Sequence, residues 1–207
     1  MLRQLPNLMT ASRVPCLFVI AMLVAWGARW APTLALLVFL LAAVTDYLDG
    51  WLARRLGVVS NFGKLMDALT DKILNVGLLI FLLVYPAGQP LLPAYCVFFV
   101  VVILVRELLI TGLRLVAASS RLVLAAERSG KIKTVLQIFA IAALLLVLAA
   151  RQDWGWEPAL VEKIHIGALA TFGAATLVTV TSGTVYLVKY WRVFVGEPTV
   201  TPPQTRD

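Results

Sequence analysis

The sequence predicts an all-α polytopic membrane protein with six transmembrane helices, and three observations carry that expectation. The 207-residue chain is 61% hydrophobic and only 14% charged, whereas a soluble domain sits near about 45–50% apolar and about 25% charged. Its mean hydropathy is +0.91, so the surplus apolar surface must face something other than water, and a bilayer is the simplest candidate. Apolar runs close to the roughly 20 residues that cross a hydrocarbon core recur along the chain between short polar breaks.

In chain order, the first run lies near residues 8–26 and opens with the polar patch PNLMTASR. The second starts at Thr33, stays apolar to Thr45 and continues in helical pattern through Arg55. The third extends from Gly63 to Tyr85, where PAGQP separates it from a fourth near 91–118. GKIKT opens the fifth, near 130–149, and the sixth lies near 159–190. Residues 1–195 therefore read as one six-helix membrane domain, and 196–207 as a polar, Pro-containing tail expected to be disordered. The start, MLRQLPNLMTASR, lacks a small-residue cleavage site behind a short apolar core, so no removable signal peptide is expected.

Six spans put both termini on one side, and the basic residues test which side that is. Arg3, Arg13, Arg54, Arg55, Lys64, Lys72, Arg106, Arg114, Arg121, Arg128, Lys131, Lys133, Lys189, Arg192 and Arg206 fall on the terminal side. Arg29, Arg151 and Lys163 fall opposite. The positive-inside rule makes the crowded side cytoplasmic, giving a protein of the cytoplasmic membrane with both termini inside. Trp26, Trp30, Trp154 and Trp156 mark the sparse interface and Trp191 the cytoplasmic one, as aromatic belts do. The net charge of +7 is then explained by cytoplasmic loops and anionic headgroups, and no nucleic-acid partner is expected. Cys16 and Cys96 have no metal-ligand spacing around them and receive no role.

The stretch DYLDGWLARRLGVVSNFGKLMDALTDK sets four carboxylates, Asp46, Asp49, Asp67 and Asp71, beside spans of bilayer length. Counted from Thr33 at about 1.5 Å per residue, Asp46 lies about 20 Å into a hydrocarbon core about 30 Å thick. Asp46 and Asp49 are three apart and share a helix face with Gly50 and Ala53; Gly63, Asp67 and Asp71 repeat every fourth residue. A short connection joins the two helices, so antiparallel neighbours with facing acidic surfaces are expected. Each carboxylate costs about 2.5–3.5 kcal/mol at mid-membrane, so something must compensate the set. Hard divalent cations such as Mg²⁺ or Mn²⁺ remove both the burial cost and the mutual repulsion. Four carboxylates suit a two-cation site, whose usual chemistry is in-line displacement at phosphorus. The bland alternative is four interfacial carboxylates paired with neighbouring Arg and Lys, and the sharper rival is a proton or ion path.

The same stretch resembles the signature of the CDP-alcohol phosphotransferases at every fixed position. That signature, D-x-x-D-G-x-x-A-R, eight residues, then G-x-x-x-D-x-x-x-D, falls on Asp46, Asp49, Gly50, Ala53, Arg54, Gly63, Asp67 and Asp71. The resemblance implies a six-helix membrane enzyme, typically a homodimer, with its site open to the cytoplasm. It implies transfer of a phosphatidyl-type group from a CDP-linked lipid to an alcohol, with release of CMP. By position, it makes Asp46, Asp49, Asp67 and Asp71 ligands of two divalent cations, Mg²⁺ or Mn²⁺. Asp71 would also be the general base, and Gly50, Ala53, Arg54 and Gly63 would line the CDP pocket.

A second polar cluster bears on the acceptor. Glu107, Thr111 and Arg114 form one stripe on an apolar helix, Lys131 and Lys133 open the fifth span, and Asn7, Thr10 and Arg13 share a face near the N-terminus. Together they would make a basic pocket suited to a phosphorylated alcohol, with Glu107 orienting Arg114 or another base. Arg106 lies off the stripe and is expected either to pair locally or to join the pocket. For Arg121, Arg128, Lys189 and Arg192, topology and headgroup contacts suffice, and His165 is expected to have a packing or interfacial role. LPNLMTASR, RELLITGLR and GKIKT resemble the phosphatidylglycerophosphate synthase branch of the family, which implies CDP-diacylglycerol as donor and glycerol 3-phosphate as acceptor. The likeness covers most of residues 5–137; MDALTDK departs from that branch's usual LDPLADK, and the last span carries no diagnostic motif. The same chemistry on inositol phosphate, serine or phosphatidylglycerol, or a carboxylate-lined transporter, remains the competing expectation.

Overall fold

The computed structural model describes residues 5–56, 61–85, 90–119 and 128–195, with side chains at 12–46, 48, 69–70, 72–85, 90–117, 130 and 132–191. Among these residues the chain is all-α. Six helices follow one another: α1 (Leu5–Trp26), α2 (Ala31–Leu56), α3 (Asn61–Val84), α4 (Cys96–Ser119), α5 (Arg128–Gln152) and α6 (Pro158–Val195). Cys96–Ala117, Ile132–Gln152 and Pro158–Trp191 are long and apolar enough to cross a membrane. The described apolar stretches of the other three helices, Ser12–Trp26, Ala31–Asp46 and Lys72–Val84, are shorter.

Each boundary has a local cause. Gly27, at φ 66°, follows the last residue of α1 in the left-handed conformation that commonly ends a helix. Pro158 opens α6 where a missing N–H costs nothing, and the Glu157 carbonyl accepts the first bonds, from the N–H groups of Leu160 (3.0 Å) and Val161 (3.1 Å). The fourth helix starts later than the apolar run suggests. Pro90 and Pro93 fix φ and remove donors, so Leu91 and Leu92 do not begin a helix and instead fill the core, both almost fully buried. Helical bonding begins with the Cys96 N–H donating to the Pro93 carbonyl at 2.8 Å.

The centre of the bundle is α5. Ala140, Ile141, Leu144, Leu145, Val147 and Leu148 are all buried there, and α5 packs against α2, α3 and α6. The first helix packs against both α2 and α3, and α4 against α3 and α6. Outside this core, Phe18, Met22, Leu41, Phe98, Leu177 and Val188 are each more than 60% exposed. An apolar exterior on that scale suits acyl chains rather than water. Helical hydroxyls of α6 fit the same solvent: Thr171, Thr176, Thr179, Thr181 and Thr184 each donate to the carbonyl four residues back, so these five protons are satisfied in lipid.

The end of the bundle opposite the acidic motif is clasped across the chain. Trp30 precedes α2 at φ 70°, an uncommon conformation for a residue with a side chain, and an indole cannot cap the helix start. Asp153, from the α5–α6 turn, supplies the cap. It accepts from the N–H groups of Trp30 (3.0 Å) and Thr33 (2.8 Å) and from the Thr33 hydroxyl (2.5 Å). A second clasp centres on His165, which is buried as expected of a packing residue. Arg151 can only donate, so His165 Nδ1 accepts from it at 3.1 Å and Nε2 carries the proton donated to the Leu91 carbonyl at 2.7 Å.

Candidate functional site

The acidic motif divides between two helices: α2 carries Asp46, Asp49, Gly50, Ala53 and Arg54, and α3 carries Gly63, Asp67 and Asp71. Continuous helix through both segments preserves the three- and four-residue spacings as shared faces. The first helix, packed on both, delivers Arg13 to this region. Arg13 is buried and forms an ion pair with Asp46, whose side chain is one-third exposed. Arg13, expected among the acceptor residues, is joined by the structure to a motif aspartate. An arginine this buried needs a carboxylate partner, and the pair fixes the orientation of one Asp46 oxygen.

The side chains of Asp49, Asp67, Asp71, Gly50, Ala53, Arg54, Gly63, Thr10 and Lys131 lie outside the described residues. Among the described side chains, no three His, Cys, Asp or Glu come together, and only Asp46 of the four motif aspartates is among them. Asp46 does fit a hard cation by chemistry: it is an anionic oxygen donor, partly open, and oriented by an adjacent buried guanidinium.

The second cluster is described more fully. Glu107, on α4, is buried and bonded to Lys133 Nζ of α5. The same Glu107 oxygen lies 3.4 Å from Arg106 Nη1, and Arg106 Nη2 donates to Ser182 Oγ of α6 at 3.1 Å. The Thr111 hydroxyl donates to the Glu107 carbonyl at 2.6 Å. One turn further, Arg114 Nε donates to Tyr186 Oη at 3.4 Å, and its guanidinium carbon sits 5.1 Å from the centre of the Tyr186 ring. Beside these, Gln137 Nε2 of α5 donates to Thr179 Oγ1 at 3.3 Å.

The expected stripe is therefore real, but its carboxylate serves Lys133 and Arg106 rather than Arg114. Arg106 pairs locally with Glu107, one of its two expected behaviours. Arg114 leans instead on α6, a helix without a diagnostic motif. Thr179, Ser182 and Tyr186 lie three and four apart on one face of α6. Buried polar side chains at membrane depth are the signal that was available there.

Comparisons with known proteins bear on the family. A relative from Bacillus subtilis, named CDP-diacylglycerol--glycerol-3-phosphate 3-phosphatidyltransferase, is 42% identical over 154 residues, 69% of this chain and 76% of its own length. Relatives of the same name from Rickettsia typhi and Cereibacter sphaeroides are each 35% identical, over 70% and 74% of this chain and 78% and 71% of theirs. The family model for CDP-alcohol phosphatidyltransferase matches residues 3–181, a span holding the whole acidic motif and the Glu107 cluster up to the last turns of α6, and the chain belongs to that family.

Proposed function

We propose that this protein transfers the phosphatidyl group of CDP-diacylglycerol to glycerol 3-phosphate, giving phosphatidylglycerophosphate and CMP. Family membership and the shared name of the relatives support the reaction. The observation that carries the acceptor's chemistry is the charge of the second cluster. Among the described side chains of that cluster, Arg106, Arg114 and Lys133 bring three positive charges and Glu107 one negative. The surplus of two matches a phosphomonoester, which carries about −1.5 to −2 near neutral pH.

In this reading the acceptor hydroxyl attacks the lipid-linked phosphorus of CDP-diacylglycerol. A new P–O bond forms, the bond to the CMP phosphate breaks, and CMP leaves with that electron pair. Asp71 takes the hydroxyl proton. Asp46, Asp49, Asp67 and Asp71 would hold two divalent cations, Mg²⁺ or Mn²⁺, which when bound offset charge on the phosphoryl oxygens and leaving group. Arg13 holds Asp46 in place, Gly50, Ala53, Arg54 and Gly63 line the CDP pocket, and Arg114, Arg106, Lys131 and Lys133 with Thr10 face the acceptor. The enzyme lies in the cytoplasmic membrane as a homodimer, with its site and both termini toward the cytoplasm. A lipid donor accounts for carboxylates set at membrane depth.

Radiolabelled glycerol 3-phosphate, inositol phosphate, serine and phosphatidylglycerol, each offered with CDP-diacylglycerol to purified enzyme, test the acceptor. Label should enter lipid from glycerol 3-phosphate; incorporation from another acceptor alone would overturn this assignment.

A further inference from the structure

The sixth helix touches both arginines of the second cluster at one short segment. Ser182 Oγ accepts from Arg106 Nη2 at 3.1 Å, and four residues on, Tyr186 Oη accepts from Arg114 Nε at 3.4 Å. Tyr186 is almost fully buried, 2% exposed, and also offers its ring face to Arg114 at 5.1 Å. Between them, Gly183 makes the groove for the Arg106 stem: a Cβ there would stand 2.8 Å from Arg106 Cγ and 3.0 Å from Nε. The match to the family model ends at residue 181, just before this segment.

Resting on the phosphomonoester reading above, we propose that Tyr186 is a positioning residue for the acceptor: it holds Arg114 by Nε and by its ring face, so that the terminal amines meet the acceptor phosphate. A guanidinium has five donors in a rigid fork. Fixing Nε leaves the edge formed by Nη1 and Nη2 to meet a phosphate. Arginine flexes over several rotatable bonds, and ordering such a side chain before the ligand arrives removes part of the entropic cost of binding. Ser182 and Gly183 do the same for Arg106, whose buried Nε has no hydrogen-bond partner among the described residues. Thus α6 is the wall against which the acceptor's arginines are aligned.

The test is steady-state CMP release by purified full-length enzyme in detergent–lipid micelles, varying glycerol 3-phosphate and CDP-diacylglycerol separately. Tyr186→Phe keeps the ring and loses the hydroxyl. Its KM for glycerol 3-phosphate should rise roughly three- to tenfold, the range expected for losing one hydrogen bond of ordinary strength. Its KM for CDP-diacylglycerol and its kcat should stay within about twofold. Tyr186→Leu, which also loses the ring, should raise the acceptor KM further. In an Arg114→Lys background, which lacks Nε, Tyr186→Phe should add little, because coupled residues do not act independently. An unchanged acceptor KM in Tyr186→Phe, or fold-changes that simply multiply in the double variant, would overturn the inference while Arg114→Ala still weakens the acceptor. A wild type that releases no CMP in response to glycerol 3-phosphate would overturn the functional reading, and this inference with it.

Discussion

At the scale of single residues, two carboxylates of the described structure do different work from the same cause. Glu107 is buried and Asp46 one-third exposed, and each has a cation against it: Arg13 against Asp46, Lys133 and Arg106 against Glu107. Removing one partner of a buried pair leaves the other charge uncompensated, at a cost of about 3–5 kcal/mol. Glu107→Gln should therefore lower the thermal unfolding midpoint of the purified protein clearly, and weaken glycerol 3-phosphate binding through Lys133 and Arg106. A variant as stable as the wild type would mean that Lys133 and Arg106 are neutralised by something other than Glu107. Asp71→Asn is the opposite kind of change. It should keep the fold and reduce CMP release by about 10²–10⁴-fold, the usual worth of a positioned general base. Turnover near wild type in that variant would remove Asp71 from the role.

At the scale of elements, the clasp on α2 is the contact most open to direct testing. Asp153 caps a helix distant in sequence, accepting from Trp30, Thr33 N–H and the Thr33 hydroxyl. Asp153→Ala should cost about 1–2 kcal/mol, as loss of a good helix cap does. It should leave the KM values unchanged, because the clasp lies at the opposite end of the bundle from the acidic motif; a stability-neutral variant would show the cap to be dispensable. That clasp also marks what a sequence can and cannot disclose. The helices were legible because apolar runs and their polar breaks are local signals. The start of α4 was not read correctly, because two leucines next to prolines look like helix in composition but are denied it by Pro90 and Pro93. The acidic motif was legible because helix spacing alone lines up its members. The partners of those residues were not: Arg13 reaches Asp46 from another helix, and Tyr186 reaches Arg114 from 72 positions away. No periodicity encodes such pairings. The polar face of α6 was overlooked for a further reason: its threonines bond back to their own helix, and Ser182 and Tyr186 carry no charge to mark them.

At the scale of the whole molecule, an apolar exterior and a packed centre at α5 carry two polar clusters built from α1 to α6. Its orientation rests on the distribution of Lys and Arg, and labelling can check it. With Cys16 and Cys96 replaced by alanine, Arg29→Cys should react with a membrane-impermeant maleimide on intact cells, and Thr201→Cys only after permeabilisation. The reverse pattern would invert the protein in the membrane. The central claim is that the acidic motif and the basic cluster together run one metal-assisted transfer from a CDP-lipid to a phosphorylated alcohol. It is tested most directly by CMP release from CDP-diacylglycerol by the purified enzyme, with and without glycerol 3-phosphate, after chelation and after return of Mg²⁺ or Mn²⁺. CMP is expected only when acceptor and divalent cation are both present, whereas release that ignores the acceptor or survives chelation, or no release under any condition, would contradict that claim.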